Sequence, residues 1–195
     1  MVLCDLIESL STESTIMMCG LPASGKSTVA KLISQFKGYT ILNTDMVRLN
    51  LYKKEEIFDP QKASDLKKRY MVYEVMFETA KKLILEGQRV ILDGTFVKQE
   101  LRVKAVETLG SFLPNFYLIH TICDETTTLK RIYERQNKEY ESNALTQEAY
   151  FNNLKLWEDI DIYQLIDRAP NIKFSFFQIT STNSEPLTWN IREIF

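Results

Sequence analysis

The chain has 195 residues, 45% of them hydrophobic and 26% charged, with a formal net charge of -2. That length suits one domain able to bury its own core, and the composition argues against a disordered chain. The near-neutral balance excludes a strongly basic footprint for nucleic acid over the whole chain.

The first eight residues, MVLCDLIE, carry acids where a secretory leader carries bases, and the apolar runs fall short of a membrane span. Three cysteines, Cys4, Cys19 and Cys123, lack CxxC spacing and suggest reduced thiols rather than a disulfide frame or a zinc site. The expectation is a soluble cytoplasmic protein without membrane contact. With six glycines, five prolines and no low-complexity linker, a single domain over residues 1–195 is expected.

The first strand expected is 15–19 (TIMMC), followed by a helix from Lys26 to about Gln35 with Val29, Ala30 and Ile33 at helical spacing. A second strand spans 39–42 and ends in Asn43-Thr44-Asp45. Leu66, Tyr70, Tyr73, Phe77, Ala80 and Ile84 recur at steps of three and four, one face of a long helix that stops at Gly87. Residues 89–92 (RVIL) form a buried-type strand, at once followed by Asp93-Gly94-Thr95. A fourth strand at 116–123 leads into a helix at 126–135. Another helix runs from Thr146 to about Leu165, the last strand is 173–179 (KFSFFQI), and 187–194 is expected to close the chain as a short helix. The pattern predicts an α/β fold: one domain with a five-stranded, mainly parallel sheet, helices on both faces and a small helical lid over about 126–146.

Residues 20–27 match G-x-x-x-x-G-K-[ST] without a gap, between a strand and a helix. Gly20 and Gly25 permit backbone angles and close approach that a Cβ hinders. The loop N–H groups and the positive end of the next helix suit a phosphate. Gly20, Pro22, Ala23, Ser24, Gly25, Lys26, Ser27 and Thr28 are therefore the expected nucleotide-binding set, with Lys26 at the β and γ phosphates and Ser27 on Mg²⁺. A guanine-specific switch protein is disfavoured. The Asn137-Lys138-Glu139-Tyr140 segment lacks the Asp of NKxD, and Asp93-Gly94-Thr95-Phe96 stands where D-x-x-G would.

A small kinase needs an acceptor-side base, a metal-side carboxylate and cations for the transferred phosphoryl. Asp45 and Asp93 follow strands that open onto the same crevice as the loop. Arg131 and Arg135 are four apart on one helix face. Each also has a plain reading: Asp45 as a helix cap, Asp93 as a turn residue, the arginines as a solvated face.

GLPASGKST, NTDMVR, VILDGTFVKQELR and LKRIYERQ, in that order, resemble the successive motifs of P-loop kinases of the AAA_33 group, related to polynucleotide 5′-hydroxyl kinases and zeta-toxin-type kinases, over about residues 15–160. The resemblance implies an ATP- and Mg²⁺-dependent kinase acting on a hydroxyl group. It implies Asp45 as general base, Arg48 as a holder of an anionic group on the acceptor, Arg135 as the lid arginine with Arg131 beside it, and Asp93 as organiser of metal or acceptor. Thr95 and Arg102 are weaker candidates for the acceptor cleft. The segment 137–143 (NKEYESN) is acidic and Gly-free, a departure from the basic lid of that group that disfavours a nucleic-acid acceptor.

Lys53, Lys54, Lys62, Lys67, Lys68 and Arg69 form a local basic cluster, read either as solvated surface or as contacts to an anionic acceptor. His120 and Trp157 read as packed residues, and 180–186 (TSTNSEP) as a loop that could touch the adenine. An ATP-binding regulatory or assembly module with weak ATPase activity, and a toxin-like kinase, are the alternative readings. The acceptor and the oligomeric state are open.

Overall fold

The computed structural model describes residues 1–52, 66–136, 146–181 and 183–195. Lys53, Lys54, Lys62 and the segment 137–145 of the expected lid lie outside these residues. The strands are β1 (Ser14–Cys19), β2 (Thr40–Asn43), β3 (Val90–Asp93), β4 (Asn115–Ile122), β5 (Lys173–Thr180) and β6 (Asn190–Glu193). They form one sheet in the order β2-β3-β1-β4-β5-β6, with the first five strands parallel and β6 antiparallel to β5.

All six residues of β1 are buried, as a strand covered on both faces requires. Alternation sorts them. Met17 and Cys19 face a core with α4 (Leu66–Leu85), α5 (Gln99–Leu109) and α8 (Ile162–Arg168), while Ile16 and Met18 face α1 (Leu3–Ser9) and α2 (Lys26–Lys37). The remaining helices are α3 (Thr44–Leu51), α6 (Glu125–Gln136) and α7 (Gln147–Leu156). The chain leaves β1 for β2 on one side and leaves β3 for β4 on the other, so the crossovers from these adjacent strands diverge and a crevice opens beyond their C-terminal ends. No helix among the described residues is long and apolar enough to cross a membrane.

Three expectations are corrected. The closing helix at 187–194 is instead a short 3₁₀ turn (Pro186–Thr188) and strand β6, which makes the sheet six-stranded rather than five-stranded. Leu187 and Ile191 are spaced for a helix, yet Leu187, Trp189 and Ile191 also alternate. The open edge of β5 decides the matter, because β6 pairs with it and sets Ile191 opposite Ile179.

The single helix expected from Thr146 to Leu165 is two, α7 and α8, separated by Trp157–Asp161. Glu158 uses that break: its carboxylate accepts from Gln99 N at 2.7 Å and Lys98 Nζ at 2.9 Å, placing a negative charge at the start of α5. Asp161 then caps α8 by accepting from Gln164 N at 3.0 Å. Helix α1 was not expected. Leu3, Leu6 and Ile7 bury its inner face, and the Val2–Asn190 bridge ties it to the last strand.

Candidate active site

The loop between β1 and α2 reverses the chain through left-handed conformations. Gly20 has φ 141°, Ala23 59° and Gly25 101°. A Cβ on Gly20 would collide with the Thr121 carbonyl oxygen, and one on Gly25 would come within 2.8 Å of the Trp189 ring. Gly20 N donates to Thr95 O at 3.2 Å. Ser24 Oγ and Thr121 Oγ1 share a hydrogen bond of 2.7 Å, and Ser181 Oγ donates to Ser24 O at 2.6 Å. Pro22, Ala23 and Ser24 are buried. The loop is thus held from beneath by β3, β4 and the segment after β5. Thr28 follows, half-buried, on α2.

Lys26 is buried, and its Nζ donates to Leu21 O at 2.8 Å. Burial holds its ammonium below the usual lysine range. The Asp93 carboxylate opposes this most, Cys19 and Asp45 add to that opposition, and the Arg135 guanidinium works with burial. Lys26 therefore senses Asp93, Asp45 and Arg135 at once.

Asp93, the last residue of β3, is buried and accepts two hydrogen bonds on Oδ2: from Ser27 Oγ at 2.7 Å and from Asn43 Nδ2 at 2.8 Å. Parallel pairing sets Asn43 level with Asp93 and Asp93 level with Met18, so the carboxylate sits beside the loop. Its plain reading as a turn residue does not hold, since both partners are side chains. Asn43 also caps α3, accepting from Asp45 N at 2.7 Å. The cap is therefore Asn43, and the Asp45 carboxylate instead meets Arg48 NH1 at 2.9 Å, both side chains about one-fifth exposed.

The two α6 arginines separate. Arg131 turns toward the loop: its NH1 donates to Ala23 O at 3.3 Å and Ser181 Oγ at 3.0 Å, and its NH2 to Ser181 O at 2.7 Å. That is a brace between the loop and the residues after β5. Arg135 lies half-buried on the last turn of α6, where Lys26 feels its charge. Thr95 serves the loop through its carbonyl, and its hydroxyl lies 3.4 Å from Tyr73 OH.

Arg102, expected at the acceptor cleft, is a correction. It is fully buried and donates to the carbonyls of Phe96, Val97, Glu158 and Asp159 and to Gln99 Oε1, so its donors are spent on joining the segment after β3, α5 and the α7–α8 break. Trp157 lies against it at 4.7 Å and stacks on His120 at 5.0 Å. Burial, helped by the charges of Arg102 and Lys26, pushes His120 down to about 4, so the imidazole is neutral at neutral pH.

Asn43, Thr121 and Trp189 were missed as parts of the site, and Ser181, in the 180–186 loop expected near the adenine, instead bonds Ser24 and Arg131. Of the three missed, only Asn43 carried a signal, as an Asn just ahead of a helix. Thr121 and Trp189 act through long-range contacts that leave no local pattern. Among the described residues there is no cluster of three or more His, Cys, Asp or Glu able to hold a metal ion.

The AAA_33 family, described as an AAA domain, matches residues 15–155. An adenylate kinase from Borreliella burgdorferi is 30% identical over 126 residues, covering 62% of this chain and 57% of that protein, so the match spans little more than half of the relative. Among solved structures, a gluconokinase from Sinorhizobium meliloti superposes with a TM-score of 0.56 at 17% identity, covering 86% of this chain and 84% of the other. Chaetomium thermophilum Kti12 in complex with ADP-AlF3 superposes with a TM-score of 0.57 at 14% identity, covering 82% and 87%. These identities carry the fold alone. The family match spans most of the chain, and the protein belongs to the AAA_33 family, a P-loop NTPase with a kinase-like fold.

Proposed function

We propose that this protein is an ATP- and Mg²⁺-dependent kinase that transfers the γ-phosphoryl group of ATP to a hydroxyl on an acceptor. The observation that carries the reading is a continuous polar chain from Ser27 through Asp93, Asn43 and Asp45 to Arg48. It connects the phosphate-binding loop after β1 to a carboxylate just past β2, with β3 between the two strands, at the sheet edge where a donor and an acceptor would meet.

On this reading the loop amides and Lys26 hold the β and γ phosphates. The complex of Kti12, a protein of the same fold, with ADP-AlF3 supports a nucleotide ligand for this fold. Ser27 Oγ and the Asp93 carboxylate are adjacent hard oxygen donors, a set that suits Mg²⁺ when phosphates and water complete its shell. Bound there, the ion would offset charge on the phosphate oxygens. Asp45 accepts the proton of the acceptor hydroxyl as its oxygen bonds to phosphorus and the bond to ADP breaks. Arg48 orients Asp45 and can meet an anionic group. Arg135 offsets charge on the transferring phosphoryl, and α6 carries it over the loop.

Labelled γ-phosphate transfer tests this, with pooled hydroxyl acceptors and 5′-hydroxyl oligonucleotides and with Lys26→Ala as control. Lys26-dependent labelling of a hydroxyl compound is expected. Release of inorganic phosphate alone would favour a regulatory ATPase. Because one relative is an adenylate kinase, AMP is a separate arm; preferential labelling of AMP would replace the hydroxyl acceptor by a phosphate.

A further inference from the structure

Among the described residues, two that are not glycine have a positive φ: Ala23 in the phosphate loop, at 59°, and Phe96 after β3, at 46°. The left-handed region crowds the Cβ of an ordinary residue, and a bulky side chain stays there only where its surroundings impose it. For Phe96, Tyr73 of α4 supplies both an apolar and a polar contact. The two rings lie with centroids 4.8 Å apart, and the Tyr73 hydroxyl oxygen accepts from Phe96 N at 2.9 Å. Both side chains are buried, so the N–H has no water to turn to if the hydroxyl is removed. Burial pushes the Tyr73 phenol up, which keeps its proton in place, and the oxygen also lies 3.4 Å from Thr95 Oγ1. The hydroxyl fills the turn: a Cβ on Gly94 would come within 3.0 Å of it.

The same turn carries the phosphate loop. Gly20 N, at the first residue of the loop, donates to Thr95 O at 3.2 Å. Thr95 C=O and Phe96 N–H belong to one peptide unit, which is planar and rigid. That plane is therefore pinned at both ends, by Tyr73 on its N–H and by Gly20 on its carbonyl. Rotating it to relieve Phe96 also withdraws the carbonyl from Gly20.

We propose that Tyr73 is a positioning residue for the nucleotide: its hydroxyl, acting through the Thr95–Phe96 peptide plane, sets the first amide of the phosphate loop. This rests on nucleotide binding at the loop and is independent of the acceptor. Without the hydroxyl the plane turns toward the negative φ that phenylalanine prefers, and Gly20 loses its acceptor.

Tyr73→Phe tests it, because the ring stays and only the acceptor for Phe96 N goes. ATP affinity is measured by titration where both proteins are folded, and amide hydrogen exchange is followed residue by residue. In Tyr73→Phe the Kd for ATP is expected to rise about 5- to 30-fold, with protection lost at Phe96 and Gly20 and kept at the amides within β1 and β4. The wild type alone supplies a second readout. Since opening of the plane and ATP binding oppose each other, saturating ATP should slow exchange of Phe96 N–H at least about tenfold. An unchanged Kd in Tyr73→Phe, exchange at Phe96 that ATP does not slow, or protection lost evenly over the whole sheet overturns the positioning role and leaves nucleotide binding standing. A wild type that binds no ATP overturns both.

Discussion

Ser27 Oγ donates to Asp93 Oδ2 at 2.7 Å, joining the first turn of α2 to the last residue of β3. The same carboxylate oxygen takes Asn43 Nδ2 from the neighbouring strand. One buried acid thereby sets both the loop hydroxyl and the residue that caps α3, and through that cap the position of Asp45.

Replacing Asp93 by Asn keeps the size and removes the charge. Transfer is expected to fall at least about 100-fold, because the metal-side carboxylate and the strongest charge opposing the burial of Lys26 go together. Steady-state rates over a Mg²⁺ titration check this. Full activity at ordinary Mg²⁺ would remove Asp93 from the reaction.

Gly25 and Trp189 are coupled by contact. Gly25→Ala places a side chain at φ 101° and within 2.8 Å of Cη2 and Cζ3 of the indole, at an expected cost of at least about 2 kcal/mol. Trp189→Phe removes those two ring atoms. In a double-mutant cycle read by urea denaturation, Gly25→Ala should therefore cost less in the Trp189→Phe background, where the conformational strain and the 3.2 Å approach to Ser181 Cβ persist. Equal costs in both backgrounds would show that the indole does not limit the loop.

Arg102 is expected to act on stability rather than on transfer. Arg102→Leu leaves the carbonyls of Phe96, Glu158 and Asp159 without their donor, a loss of about 3–5 kcal/mol in chemical denaturation. The folded fraction should keep its rate within about threefold. A large fall in kcat with unchanged stability would return Arg102 to the acceptor cleft.

His120 has a stability signature of its own. Its proton affinity falls on folding from 6.5 to about 4, so the unfolded chain takes up the proton first as pH drops. Stability is then full above about pH 6.5 and is lost toward pH 4, by at most roughly 3 kcal/mol. Denaturation curves across that window should flatten in His120→Gln relative to wild type. Parallel curves for the two proteins would contradict the shift.

How much of this was legible in the sequence depends on the range of the signal. The cradle at Gly20–Ser27 is local: its glycines, lysine and serine are contiguous, and strand β1 ahead of it is a plain apolar run. Asp45 and Asp93 were legible as strand-end acids, but their connection through Asn43 depends on strand register, which pairs Asn43 with Asp93 across 50 positions. Strand β6 was misread because Leu187 and Ile191 fit a helical spacing as well as an alternating one, and only the edge of β5 chooses between them. Arg102 and Arg131 look like charged helix residues in the sequence. Their inward turn comes from carbonyls that the breaks after α7 and β5 leave exposed.

The most direct test of the central claim is labelled γ-phosphate transfer to a hydroxyl acceptor by Asp45→Asn, compared with wild type at saturating ATP. If Asp45 is the base, kcat falls by about 10²- to 10⁴-fold while ATP binding by titration is retained. Transfer at the wild-type rate by Asp45→Asn would contradict the account.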